Sequence, residues 1–243
     1  MKLLSSPRKK MTKIRKFLAL LSDIYQTLFI SLIGKDKKFS YIYKSKYWKG
    51  LGDGSLSGAG SNEATTNNIK SELQKFFIEK NIKSVLDIPC GDWKWMSTMN
   101  LGDIDYTGCD VVKEMIDHNS KLYAKSNIKF RVLSLIDDHL PNADIIIIRD
   151  LLVHLDTKDI LKCIDNIRKY NFKYIAITNY PILKNQHKDK ILGDKWRPLN
   201  LSLEPFKLCS PDYNLNDTSD LQNHDKDKYL SVWSNEKFIN NRN

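Results

Sequence analysis

Cysteine is sparse, and the four that occur, Cys90, Cys109, Cys163 and Cys209, are widely spaced. There is no C-x-x-C pair and no histidine at ligand spacing beside them, which argues against a zinc centre or disulfide framework and for a reducing compartment. A long uninterrupted apolar run is also missing. The stretch Phe17 to Gly34 comes nearest, but Ser22, Asp23, Gln26, Thr27 and Ser31 break it at helical spacing, whereas a spanning helix needs about 20 nearly unbroken apolar residues. No small-residue cleavage site follows it, and no internal repeat is visible. The segment reads as an amphipathic helix with a basic lead-in, packed on the domain or a second subunit, or laid on an anionic membrane surface.

Acidic residues are nearly absent from the first 50 positions, where thirteen Lys/Arg face two acids, a balance of +11. Residues 51–243 carry twenty-six bases and twenty-seven acids, −1, so the net +10 belongs to the arm. A near-neutral body without a basic stripe lowers the case for a polynucleotide substrate. The expected organisation is a basic helical arm over residues 1–50 and one domain over 51–243, with the sequons at Asn200 and Asn216 given no weight.

Within the body, short β-branched runs alternate with helical patterns. Ile69, Leu73, Phe76 and Phe77 share a helix face, with Ser61 as its cap. "SVLDI", "IDYTGCD", "IKFRVLS", "ADIIIIRD" and "KYIAIT" read as strands, with helices from Val112 to about Ala124 and after Asp156. After a long irregular stretch (180–204), "EPFKLC" and "KYLSVWS" read as two more. The pattern predicts an α/β, Rossmann-like, mostly parallel seven-stranded sheet with helices on both faces.

In such a sheet the ligand lies outside the carboxyl ends of the strands. "SVLDIPCGDW" (84–93) supplies the first of these ends. A dinucleotide loop needs further glycines to let pyrophosphate approach, but Gly91 is followed by Asp, Trp, Lys, Trp and Met. Two acids, Asp87 and Asp92, flank the turn and would repel pyrophosphate. They suit a cofactor bearing an ammonium and a sulfonium. Asp110, nineteen residues after Gly91, sits where such folds hold a ribose diol; its bland reading is a solvated strand end. The residues favour S-adenosylmethionine over NAD.

On "SGAGS" (57–61), "LDIPCGDWKWM" (86–96), "ADIIIIRDLLVHL" (143–155) and "GDKWRPLNLSLEPF" (193–206), the chain resembles class I S-adenosylmethionine-dependent methyltransferases from about residue 60 onward. More narrowly, it resembles bacterial small-molecule methyltransferases of capsular and other surface polysaccharides. The resemblance implies that Asp87, Pro89, Cys90 and Gly91 hold the methionine part of the cofactor, with Asp92 and Trp93 beside them. It places Asp110 on the ribose hydroxyls with Val111 beside it in the cofactor site, and Ser134 at the adenine where relatives often have Asp. Ser57, Gly58 and Ser61 would lie near the cofactor's tail or form an ordinary capping loop, and Arg149 would serve both cofactor and acceptor.

A hydroxyl acceptor needs a base to take its proton. His154 is the candidate base, with Asp150 orienting it if the turn between them is helical; a structural histidine is the competing reading. Asn179, Tyr180, Trp196, Arg197 and Asn200 are the candidate acceptor residues, the Arg197 fork suiting a phosphate; in the competing reading Trp196 and Leu199 only pin the loop to the core. His187, Asp189 and Asp194 could offer a divalent metal, but Lys188 and Lys190 between them mark a solvated run, so no metal is expected. Trp93 and Trp95 either shield the cofactor or pack in the core. The expectation is an O-methyltransferase acting on a sugar or nucleotide-linked sugar, a heptose being the sugar the resemblance suggests, cytoplasmic or peripheral at the inner membrane face, with S-adenosylhomocysteine as product and no nucleic-acid partner. Methylation of a phosphoramidate, phosphate or amine, and a non-catalytic interaction module, are the alternatives.

Overall fold

The computed structural model describes residues 29, 35–45, 55–186, 196–218 and 227–240. In chain order, helix α1 (Lys35–Lys44), a 3-10 turn (Ala59–Ser61) and α2 (Glu63–Glu79) precede strand β1 (Ser84–Asp87). Then come β2 (Asp105–Asp110), α3 (Lys113–Tyr123), β3 (Ile128–Val132) and β4 (Ile145–Ile148). A 3-10 turn (Leu152–His154), α4 (Thr157–Ile167), β5 (Tyr174–Asn179), β6 (Tyr213–Asn216), β7 (Tyr229–Ser234) and α5 (Asn235–Ile239) complete the series.

The four isoleucines of β4 show why this sheet is buried on both faces. All four are fully buried, and successive side chains of a strand point to opposite sides. Ile146 and Ile148 join the cluster that includes Ile160, Ile164 and Ile167 of α4. Ile145 and Ile147 join Ile69, Leu73, Phe76 and Phe77 of α2. Fully apolar strands of this kind belong in parallel sheets covered by helices on each face.

The sheet order is β3-β2-β1-β4-β5-β7-β6. Strands β1 to β5 run parallel, and β7 runs antiparallel to both β5 and β6. The chain builds outward from β1 through β2 to β3, then returns to the other side of β1 with β4. The crevice therefore opens between the carboxyl ends of β1 and β4, at the point where the winding reverses.

Two local expectations are corrected. "EPFKLC" is no strand: the amides of Phe206 and Lys207 both bond to the Leu203 carbonyl, Lys207 has φ +50°, and Pro205 has no N–H to give a ladder. The strand is instead "YNLN", where only Leu215 is buried, so it carries almost no apolar alternation. Helix α2 starts one residue later than Ser61 implied, with Asn62 in the cap position; the hydroxyls of Thr65 and Thr66 both donate to the Asn62 carbonyl at 2.9 Å.

Helix α1 lies on the body. Ile42 is fully buried, Phe39 packs on the α4-side cluster, and Lys44 pairs with Glu114 of α3 at 2.6 Å. Apart from Phe29, the Phe17 to Gly34 segment lies outside the described residues. Among the described residues no helix is long and apolar enough to cross a membrane.

Candidate functional site

The turn after β1 is tied to the end of β2 by hydrogen bonds, and glycine at position 91 leaves room for Ser57 against it. Gly91 has φ +54°, and a Cβ there would lie 2.3 Å from Ser57 Oγ. Its amide donates to Asp110 Oδ2 (3.2 Å), and the Val112 amide donates to Asp110 Oδ1 (3.0 Å). Asp110 thus ties the end of β2 to the turn after β1. Burial raises its carboxyl to about 6 despite these donors. Val111 beside it is 36% exposed.

Asp92 serves as a clamp. Its Oδ2 accepts from Ser55 Oγ (2.9 Å) and the Leu56 amide (2.7 Å), while its own amide donates to Ser57 Oγ (2.9 Å). The segment before α2 is thereby laid over the Gly91 turn. Tyr43 of α1 reaches the same place, its hydroxyl 3.3 Å from Ser57 Oγ. Asp87 is buried at the end of β1 and receives the Tyr106 hydroxyl; burial raises it to about 7, with the tyrosine bond and Arg149 opposing. Cys90 is buried, its thiol driven well up by burial. Trp93, at φ +55°, packs among Tyr106, Tyr123 and Phe130 at centroid distances of 5.0–5.5 Å. Ser134 sits at the end of β3, its amide bonded to Asp138 Oδ2 at 2.8 Å.

Across the crevice, the end of β4 carries a buried ionic network. Arg149 forks onto Asp217, Nε to Oδ2 at 2.9 Å and Nη2 to Oδ1 at 2.8 Å. Lys228 Nζ bridges Asp150 Oδ2 (2.7 Å) and Asp217 Oδ2 (3.1 Å). Trp95 stacks over the Arg149 guanidinium at 5.3 Å. Asp150 adopts φ +57°, a conformation costly for a residue with a Cβ and often stored at functional sites. Burial would raise its carboxyl, but Lys228 and then Arg149 bring it down to about 2. The turn that follows is 3-10 rather than α-helical, with the His154 amide on Leu151 O. His154 is near enough to act on the Asp150 charge, and its carbonyl accepts from Lys38 of α1 at 3.4 Å.

The late loop is braced inward. Arg197 is 2% exposed, donating to Leu155 O (2.7 Å) and toward Thr157 Oγ1 (3.3 Å). The fork that the sequence offers to a phosphate is turned into the protein. Asn200 bonds Ile182 O and the Ser202 amide, and Asn179 accepts the Leu201 amide. Trp196 stays 44% exposed and lies 6.0 Å from Tyr180 at 31°. Tyr180 itself is 7% exposed. His187, Asp189 and Asp194 lie outside the described residues. Among the described residues no group of three metal-type ligands converges.

Sequence reasoning does not single out Asp217, Lys228, Ser55, Tyr43, Tyr106 or Asn119. Lys228 and Asp217 flank a run of Asn, Asp and Lys that reads as solvated, and only pairing of β6 with β7 brings them to the end of β4. Asn119, whose Nδ2 holds Gly91 O at 2.8 Å, looks like one more polar residue on a helix.

The family model described as "Methyltransferase domain" matches residues 85–170, from β1 through α4, which contain both walls of the crevice. No curated protein matches the chain in sequence. Among solved structures, PigF with S-adenosylhomocysteine is 13% identical, with TM-score 0.54, covering 81% of this chain and 61% of that one. The N-methyltransferase NodS from Bradyrhizobium japonicum is 13% identical (TM-score 0.47; 70% and 98%). Human N-acetylserotonin methyltransferase in complex with SAM is 16% identical (TM-score 0.45; 61% and 42%). The chain thus spans less than two thirds of PigF and of the human enzyme. At such identities the likeness is one of fold. Residues 85–170 match a methyltransferase domain and carry the class I, Rossmann-like fold, a fold seen elsewhere with S-adenosylmethionine or S-adenosylhomocysteine bound.

Proposed function

We propose that the chain transfers the methyl group of S-adenosylmethionine to a hydroxyl of a sugar, free or nucleotide-linked, of the kind built into surface polysaccharide. The observation that carries the reading is the Gly91 turn with Asp110 across it, at the switch point between β1 and β4. A turn ringed by Asp87, Asp92 and Asp110 fits a cofactor with cationic groups and disfavours pyrophosphate. When bound, the cofactor supplies the electrophilic methyl group. The protein's share is to align the acceptor, exclude water and receive the acceptor's proton.

His154 is the group we assign to that proton, since Asp150, held near 2, is too weak a base. The Tyr180–Trp196 pair favours a sugar face, because ring C–H groups pack on aromatic surfaces. Arg149, Lys228 and Arg197 are all committed to internal partners, which supports a neutral reacting end over an anionic one. We take 51–243 as the catalytic domain and 1–50 as an accessory arm.

The test is transfer of labelled methyl from S-adenosylmethionine to a panel of sugars and nucleotide-linked sugars. The reading expects labelled ether product, and loss of about two orders of magnitude in turnover for His154→Ala with S-adenosylhomocysteine affinity held. Label appearing only on amines or phosphoramidates would remove the hydroxyl acceptor while leaving the transferase. Wild-type turnover in His154→Ala would remove the base.

A further inference from the structure

Two layers of chain cross the mouth of the crevice, and they are fastened differently. The inner layer is residues 55–61. Ser55 Oγ and the Leu56 amide bond it to the buried Asp92 carboxylate at 2.9 and 2.7 Å, and Ser57 Oγ receives the Asp92 amide at 2.9 Å. The outer layer is helix α1. Phe39, Ile42 and Tyr43 are spaced to share one helical face, and that face is docked. Ile42 is fully buried, Phe39 packs on the α4-side cluster, and the Tyr43 hydroxyl lies 3.3 Å from Ser57 Oγ. Tyr43 is half-buried with its hydroxyl end inward, where burial and then Asp110 raise it well above the ordinary tyrosine range. That hydroxyl would stand 3.6 Å from a Cβ built on Gly91. The helix also reaches both walls. Lys44 pairs with Glu114, beyond β2, at 2.6 Å, and Lys38 donates to the His154 carbonyl, beyond β4, at 3.4 Å. From Lys38 to Lys44 the helix rises about 9 Å, which carries it from one side of the crevice to the other.

Resting on the methyltransferase reading, we propose that α1 is a strap across the crevice, which unseats to admit S-adenosylmethionine and release S-adenosylhomocysteine and reseats to enclose what is bound. Of the two layers, α1 is the one built to move. At ten residues it is too short to stay helical in water by itself, so it persists while its face is docked. Among the described residues its anchors are Ile42, the Tyr43 hydroxyl at 3.3 Å, the Lys38 bond at 3.4 Å, and an ion pair whose partners are 62% and 56% exposed. Exposed pairs of that kind add little. The inner layer ends instead on a carboxylate only 8% exposed, with Ser57 pressed against Gly91, so it stays while α1 lifts. Elements with few buried contacts open first, and closures of this kind set the rate of exchange in many enzymes.

The experiment joins Lys44→Cys to Glu114→Cys in the full chain with a short bis-maleimide that reductant can cleave. A Cys209→Ser background keeps the half-exposed native thiol from taking the label. Cysteine is shorter than the lysine and glutamate it replaces, and the linker fills that gap. Uptake and release of labelled S-adenosylhomocysteine are timed by rapid filtration, with the link formed before or after the ligand is bound. Protein linked while empty should take up ligand about tenfold more slowly or worse, and protein linked while loaded should release it as slowly. Reductant should restore both rates. The same cysteines capped singly with N-ethylmaleimide should exchange like the unlabelled double-cysteine protein. Ile42→Ala loosens the helix away from the Gly91 turn and should speed release by about tenfold. Thermal melts confirm that each variant is folded; if the linked protein does not form, Ile42→Ala decides. Exchange through the link at the unlinked rate, or release from Ile42→Ala no faster than from wild type, overturns the strap alone. Wild type failing to bind S-adenosylhomocysteine overturns the cofactor reading beneath it.

Discussion

Replacing Gly91 by alanine should be far more damaging than the same change at Gly102, although both have nearly the same backbone angle. Gly91 has φ +54° and Gly102 φ +52°. At Gly102 a new Cβ meets nothing within 4 Å, so the cost is the left-handed strain alone, about 1–2 kcal/mol. At Gly91 the Cβ would fall 2.3 Å from Ser57 Oγ and 3.1 Å from Ser57 Cβ. Ser57 must then retreat, breaking the bond from the Asp92 amide and loosening the Ser55 and Leu56 clamp. Losing these adds about 1–2 kcal/mol. For a chain of this size the extra term lowers Tm by roughly 2–8 °C relative to Gly102→Ala. Differential scanning calorimetry of the pair measures it, and titration with S-adenosylhomocysteine should show binding lost only in Gly91→Ala. Equal melting of the two variants would refute the close approach of Ser57.

Three further outcomes follow from how particular groups are buried or exposed. The folded Asp87 carboxyl keeps its proton up to about 7, while unfolded it releases near 3.9. The folded state therefore binds the extra proton between these values, and stability falls as pH rises through that window. Asp87→Asn should flatten the fall in Tm over the same range, leaving the smaller part due to Asp110; an unchanged slope would contradict it. Arg197→Met should cost roughly 2 kcal/mol or more in denaturant unfolding by stranding the Leu155 carbonyl, with S-adenosylhomocysteine affinity unaltered. Unchanged stability with lost acceptor turnover would mean the guanidinium faces substrate. Finally, Cys209 is the half-exposed thiol while Cys90, Cys109 and Cys163 are buried, so one thiol should react quickly with an aromatic disulfide, and Cys209→Ser should abolish that fast phase.

By itself the sequence determined the local pieces. Short β-branched runs can bury two faces only in a helix-covered parallel sheet, so "SVLD", "DYTGCD" and "IIII" declare their strands and α/β order. Glycine followed by acid and tryptophan rules out a pyrophosphate loop, and the spacing to Asp110 identifies the second strand end. Those features act over a few residues and leave a direct trace. The edge strand "YNLN" leaves none, because one inward leucine among polar residues has no periodicity to read. Tertiary structure alone decided which polar residues meet. Asp92 became a clamp and Arg197 an inward brace because loops folded onto them. Lys228 and Asp217 reached Asp150 because β7 inserts antiparallel between β5 and β6. A charge has no preferred neighbour in a sequence; burial forces it to find a partner, and which partner depends on which strands lie side by side.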